Sequence, residues 1–284
     1  MRRPQVRPVR TRNATFQLLE ALKRNRHKRN ELGEVFIEGI EPIKQAVAAG
    51  RRVKRILCSD FPALSRWARA LIDRVDYEEI LQLDGDLYRT LAERGEPSEM
   101  MMTVADVALG LEDVALGPAP LVLVFDRPSD HGNLGTMIRS ANAFGVDLVI
   151  TTGHGVDVRD PKVIRASMGA VFHTPVVQVG SIATLESWLT RLRAHVNLAV
   201  LGTDSTGSTP NTTPLLRRPC ALIMGNEALG MSAALRRLSD GMVAIPMQGK
   251  VDSLNVACAA SILLWQILAS SASGRAEPSG PSRA

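Results

Sequence analysis

Cysteine is scarce in this chain of 284 residues: Cys58, Cys220 and Cys258 lie far apart and form no Cys-x-x-Cys. That spacing excludes a disulfide scaffold and a zinc-binding pattern, and it reads as three small core residues in a reducing, cytoplasmic compartment. The five histidines offer no metal-ligand spacing either, so no metal is expected. No apolar run reaches membrane-spanning length, and the N-terminus has no signal-peptide core. Its Arg-rich start resembles a transit peptide in charge only, because Pro4 and Pro8 interrupt the helix such a peptide needs. The nucleotide-binding Gly-x-Gly-x-x-Gly and P-loop patterns are missing: Gly249-Lys250 is followed by Val251. No internal repeat is present.

What the chain does have is positive charge at one end. The formal net charge is +5, yet residues 1–30 carry Arg2, Arg3, Arg7, Arg10, Arg12, Lys23, Arg24, Arg26, Lys28 and Arg29 against a single Glu20. Such a cluster is an electrostatic footprint for a polyanion, most often nucleic acid. Residues 1–12 read as a disordered basic arm. Residues 13–108 alternate helical and extended patterns, as a small α/β domain does. The glycines and proline of 109–119 read as a linker. The pattern then restarts over 120–269 with the apolar run Leu121–Phe125, of the kind buried in parallel sheets. Repeated strand–helix units make a doubly wound parallel sheet the expectation. Residues 270–284, rich in Ser, Gly, Pro and Ala, read as a disordered tail.

The second domain carries the chemistry-bearing residues. A Gly-rich turn, Asp130-His-Gly-Asn133-Leu-Gly135, opens a helix that bears Arg139, and free backbone N–H groups there suit an anion. Ala221–Met224 is a short strand that ends at Gly225-Asn226-Glu227, and Met242–Ile245 is another, stopped by Pro246. From Val256 the apolar positions recur at helical spacing, which puts Ser253 where an N-cap would sit. Open α/β sheets bind ligands at such strand ends.

Asn133-x-Gly-x-x-x-Arg139, Gly225-Asn-Glu227-x-x-Gly230, Ile245-Pro-Met and Ser253-Leu-Asn255-Val-Ala resemble, in order, the three motifs of the SpoU–TrmH family of SPOUT-superfamily RNA 2′-O-ribose methyltransferases. Lys28-Arg, followed by Gly33-x-x-Phe36-Ile-Glu-Gly39, is similar to the start of that family's ribosomal-protein-like substrate-binding domain, and Phe125-Asp-Arg-Pro and Val158-Arg-Asp-Pro-Lys resemble its antibiotic-resistance branch. The resemblance implies a C-terminal parallel-sheet α/β trefoil-knot domain, a homodimer, S-adenosylmethionine as methyl donor and 23S rRNA as substrate. By the same resemblance, Asn133, Arg139, Glu227, Ser253 and Asn255 are the catalytic set. Thr203, Met224, Gly225, Asn226, Gly230, Ile245, Pro246, Met247, Ser253, Leu254 and Asn255 line the cofactor site, and Arg24, Arg26, Lys28 and Arg29 grip RNA. Glu227 would pair with Arg139 or hold its own loop; Ser253 would cap the last helix. A guanidinium stays protonated, so Arg139 suits gripping phosphate and a developing alkoxide better than taking a proton. A tRNA ribose methyltransferase and a catalytically silent ribosome-binding module remain as alternatives.

Overall fold

The strands of this protein form two sheets, in a computed structural model that describes residues 5–93, 95–208 and 213–273. The chain divides into two compact units. The first comprises Met1–Leu109, Asp130–Arg139 and Val156–Pro175; the second comprises Gly110–Ser129, Ser140–Gly155 and Val176–Ala284.

In the first unit, β1 (Val6–Val9), α1 (Ala14–Arg24), α2 (Arg26–Leu32), β2 (Glu34–Glu38), α3 (Ile40–Ala48), β3 (Val53–Cys58), α4 (Arg66–Ile72), β4 (Glu79–Leu83), α5 (Gly85–Leu91) and β5 (Met101–Ala105) follow one another. They build a mixed sheet in the order β1-β4-β3-β5-β2. Alternation along the strands splits the core in two. Phe36, Leu57 and Leu81 pack with Phe16, Leu19, Leu22, Tyr88 and Leu91. Val35, Ile37, Ile56 and Ile80 pack on the other side with Ile43, Ala68, Leu71, Ile164 and Phe172. Helix starts are capped by side chains: Asn13 Oδ1 accepts from Phe16 N–H, Asn25 Oδ1 from Lys28 N–H and Ser65 Oγ from Ala68 N–H.

The basic arm is not wholly disordered. Val6–Val9 pair in parallel with Ile80–Leu83, Val9 is fully buried, and Arg7 bonds Glu79 at 2.6 Å. Pro8, which argues against a strand, is tolerated because β1 is the edge of its sheet. Residues 1–4 lie outside the described residues. Of the unit's two other segments, Val156–Pro175 holds α7 (Pro161–Ala166). Met168 and Gly169 have φ of +53° and +83°, and this left-handed step ends the helix before a short 3-10 turn at Ala170–Phe172.

In the second unit β6 (Leu121–Phe125), β7 (Leu148–Thr152), β8 (Val176–Val179), β9 (Ala199–Ser208), β10 (Cys220–Met224) and β11 (Gly241–Val243) lie in the order β11-β9-β10-β6-β7-β8. Each neighbouring pair is parallel. Both faces of such a sheet are covered, which is why β6 and β10 are buried at each residue. The helices are α8 (Ile182–His195), α9 (Ala233–Leu238) and α10 (Val256–Ser273); α6 (His131–Ala143) joins β6 to β7. The expected linker is partly core: Leu111 is buried among Val122, Leu148 and Leu189, and Asp113 caps Gly110 N–H at 2.7 Å. The expected tail starts four residues early, since α10 runs to Ser273; 274–284 lie outside the described residues. Strand order reverses at β6, whose neighbours are β7 on one side and β10 on the other. Ligands of open α/β sheets bind outside the carboxyl ends at such a switch point.

Candidate active site

Three loops leave the carboxyl ends of β6, β7 and β10, and they are bonded to one another. Asp126, directly after β6, is completely buried. Its carboxylate accepts two hydrogen bonds from the Arg127 guanidinium at 3.0 Å, one from the Thr152 hydroxyl at 2.8 Å and one from Ser232 N–H at 2.8 Å. Burial alone would raise this carboxyl's pKa; the bonds from Arg127, Ser232 and Thr152 outweigh it, and the group is held below its ordinary value. Arg127 has a φ of +47°, an uncommon conformation for a residue with a side chain.

The β10 loop is a tight turn closed by reciprocal main-chain bonds between Asn226 and Gly230, both at 3.0 Å. Asn226 is buried; its Oδ1 accepts from the N–H groups of Ala228 and Leu229, and its Nδ2 donates to the Arg127 carbonyl at 2.7 Å. Gly230, at φ +65°, takes the left-handed corner. Gly225 follows Met224 without room for a side chain, since a Cβ there would lie 2.7 Å from Met231 N and 2.8 Å from Gly230 C. Glu227 accepts from the Ser129 hydroxyl at 2.7 Å and its N–H at 3.3 Å. These bonds tie its loop to the one that follows β6. Thr203 lies inside β9 and donates to the Ile223 carbonyl at 3.0 Å.

Ile245, Pro246 and Met247 follow β11 without regular structure, and Pro246 to Asn255 are all exposed. Leu254 and Met247 thus present apolar surface to solvent, 39 % and 37 % exposed. The cap of α10 is Asn255, not Ser253: Asn255 Oδ1 accepts from Ala257 N–H at 2.9 Å and Cys258 N–H at 3.3 Å, and its carbonyl accepts from Ala259. Ser253 stands two residues too early to cap.

Asn133 and Arg139 both lie on α6. Asn133 sits in the first turn and donates its N–H to Asp130 Oδ1 at 2.7 Å. Arg139 is exposed and forms no ion pair with any described residue. Gly135 is buried where a Cβ would meet Val163 O at 2.8 Å, so α6 approaches α7 closely at this turn. Among the expected RNA contacts Arg24 is exposed, Arg26 is half-buried, and Lys28 pairs with Glu31 at 3.1 Å. Arg29 is not a surface group at all. It is 2 % exposed and spends its donors on Asp157 and on the carbonyls of Leu22 and Lys23. Cys258, expected in the core, is exposed.

The sequence marks Asp126 and Arg127 only as part of a family-like motif and assigns no site role to them, to Ser129 or to Thr152. A signal existed: an Asp that immediately ends a fully apolar strand must either leave the core or be paired within it. Among the described residues no group of three metal-ligating side chains occurs, and no helix is long and apolar enough to cross a membrane.

A fully parallel six-stranded sheet whose switch-point loops form one bonded cluster defines an α/β protein of the ligand-binding class. Residues 120–265 match the SpoU rRNA methylase family and residues 13–102 match the SpoU L30e-like domain. The chain belongs to the SpoU rRNA methylase family. It is 38 % identical over 276 residues to the 23S rRNA (uridine(2479)-2′-O)-methyltransferase of Streptomyces viridochromogenes, covering 96 % of each chain. It is 31 % identical to the 23S rRNA (guanosine(2553)-2′-O)-methyltransferase RlmP of Bacillus subtilis, over 84 % of this chain and 90 % of that one. The crystal structure of the SpoU methyltransferase AviRb from Streptomyces viridochromogenes in complex with AdoMet superposes with a TM-score of 0.85 at 38 % identity, covering 91 % of this chain and 98 % of that one.

Proposed function

We propose that this chain transfers a methyl group from S-adenosylmethionine to a ribose 2′-oxygen of 23S rRNA. The observation that carries the reading is the Gly225–Gly230 turn at the switch point. It is built from backbone, closed on itself, and leaves no space for a Cβ at Gly225. Such a turn fits a nucleoside-bearing ligand held through main-chain groups, and it supports Met224, Gly225, Asn226 and Gly230 as donor-site residues. The exposed apolar side chains of Met247 and Leu254 suit the uncharged part of the same ligand. S-adenosylmethionine supplies an electrophilic methyl on a sulfonium.

The protein's own work is positioning, which in a well-aligned site contributes about 7–11 kcal/mol. Arg139, exposed on α6, is a fixed cation able to grip an RNA phosphate and the alkoxide as it develops. Asn133 and Asn255 orient ribose, and Ser253 bonds substrate; Glu227 keeps the turn in place through Ser129. Arg24, Arg26 and Lys28 contribute backbone contacts to rRNA. We place the reaction in the cytoplasm, where bacterial rRNA is made.

Two copies act together. Ile262, Trp265 and Leu268 recur on one face of α10, and Trp265 is 56 % exposed, an apolar stripe that a second copy would cover. The two rRNA relatives act on different nucleotides, one uridine and one guanosine, so the base comes from mapping. Resistance to a ribosome-targeting antibiotic belongs to the same reading, and growth of a susceptible host with and without the gene tests it.

The deciding experiment follows tritiated methyl transfer from S-adenosylmethionine into unmodified 23S rRNA, with tRNA as a parallel substrate. Incorporation into 23S rRNA at a ribose 2′-oxygen is expected. Arg139→Ala should lose about 10²–10³-fold in rate, the scale of removing one alkoxide-stabilising donor, while it still binds the methyl donor. Incorporation into tRNA alone, or into neither, overturns the proposal.

A further inference from the structure

The segment Asp126–Ser129 runs between two loops and bonds to both. Toward the β10 loop it makes five contacts. Asp126 accepts from Ser232 N–H at 2.8 Å, the Arg127 carbonyl accepts from Asn226 Nδ2 at 2.7 Å, and the Arg127 guanidinium reaches the Gly230 carbonyl at 3.4 Å. Ser129 donates its hydroxyl and its N–H to Glu227. These contacts touch the turn at Asn226, Glu227, Gly230 and Ser232, along its whole length.

Toward the β7 loop the segment is fixed from behind. The Thr152 hydroxyl donates to Asp126 and accepts from Arg127 N–H at 3.1 Å. Gly153 has φ +69°, and a Cβ there would come within 3.0 Å of Arg127 Cγ; a Cβ on Gly155 would collide with the Pro128 carbonyl. Both glycines are thus needed for close approach rather than for flexibility. The left-handed backbone of Arg127 sits at the centre of this arrangement. An uncommon backbone conformation persists only where its surroundings over-determine it, and such residues cluster at functional sites. Here the surroundings are the Asp126 carboxylate on the guanidinium and Thr152 on the N–H. The consequence of that φ is local: it directs the Arg127 carbonyl at Asn226, whose other side-chain atom caps the turn.

We propose that Asp126, Arg127 and Thr152 are positioning residues for the methyl-donor site, acting through Asn226 and Gly230 rather than by touching substrate. This rests on the methyl-transfer reading, and it adds a direction: the set governs donor affinity and leaves RNA affinity alone. Asp126 and Arg127 act as a unit, so their substitutions are non-additive.

The test measures S-adenosylmethionine Kd by calorimetry and KM for donor and for 23S rRNA by tritium transfer, on full-length protein. Arg127→Gly is the informative variant, because glycine accepts a φ of +47° and keeps the carbonyl that Asn226 needs while the guanidinium is lost. Thr152→Val removes the hydroxyl with little change of volume, and Thr152→Ser restores it. Arg127→Gly and Thr152→Val should each raise donor Kd and KM about tenfold, equivalent to about 1.4 kcal/mol, with KM for RNA within twofold. Thr152→Ser should recover most of the loss, and Arg127→Gly/Thr152→Val should fall short of the product of the singles. Donor Kd within twofold of wild type in both single variants overturns the proposal, as does a raised RNA KM at unchanged donor Kd. Wild-type protein that gives no heat with the donor overturns the methyl-transfer reading instead. A variant that melts early is replaced by the other, since each tests the same set.

Discussion

Replacing Arg29 with Met should destabilise the first unit and leave its grip on RNA untouched. The guanidinium makes two bonds to Asp157 Oδ2, at 3.0 and 2.6 Å, and two to the Leu22 and Lys23 carbonyls, both at 3.0 Å. Asp160 stands 3.6 Å away. Leu22 and Lys23 lie in the last turn of α1, where carbonyls have no intrahelical partner. Met fills a similar volume but leaves those carbonyls and the Asp157 carboxylate without their donor. Removing one partner of a buried ion pair costs about 3–5 kcal/mol. At about 2–4 °C per kcal/mol for a chain of this size, the midpoint should fall by roughly 6–20 °C. Arg29→Lys should fall between, because one ammonium cannot bridge both groups. The assay is thermal unfolding by circular dichroism, paired with rRNA binding against salt. If Arg29 instead faced RNA, the variant would melt within about 2 °C of wild type while its salt slope dropped by about 0.7–0.9. That outcome would refute the reasoning.

Gly225→Ala places a Cβ within 2.7 Å of Met231 N and should weaken donor binding at least about tenfold, whereas Gly249→Ala, with nothing nearby, should be neutral in the same titration. Burial pushes the Cys58 and Cys220 thiols up to about 12, so at pH 8 a maleimide should label Cys258 alone in native protein and all three cysteines in denaturant. If two copies pair through α10 as proposed, Trp265→Glu should lower the sedimenting mass to that of a single chain, and an unchanged mass would remove α10 from the interface. Asp126 titrates lower when folded than when unfolded, so its contribution to stability is complete above the unfolded carboxyl value of about 4 and is lost as pH falls through the folded value. The melting difference between wild type and Asp126→Asn should therefore shrink below about pH 4; a difference independent of pH would contradict the carboxylate's role.

Much of the fold was legible in local pattern. The apolar run at 121–125 is a strand with the expected ends, because a strand buried on both faces has no polar residue to blur its limits. Long-range pairing was not legible. Val6–Val9 carries a proline and sits amid arginines, and only its partner at 80–83, more than seventy residues away, makes it a strand. Charge misled in the same way. Arg29 belongs to a basic cluster by sequence, yet Asp157 and Asp160 lie beyond any window that charge patterning covers. At the candidate site the motif residues were visible, but the spacing puts the cap at Ser253 rather than at Asn255, because an apolar pattern fixes a helix start only to within a residue or two. The roles of Asp126 and Arg127 were not legible, because they lie in which backbone groups the two residues meet, and neighbours in sequence carry no trace of that.

The two compact units are interleaved along the chain, which passes between them after Leu109, Ser129, Arg139, Gly155 and Pro175. Scission at the first of these junctions would not free either unit. An excised fragment ending at Leu109 would lack Ile164 and Phe172, and would bare the aliphatic surface those side chains cover. Limited proteolysis should accordingly yield nicked protein that stays associated until denatured, and grafting the amino-terminal portion onto another enzyme would need the 156–175 segment to travel with it.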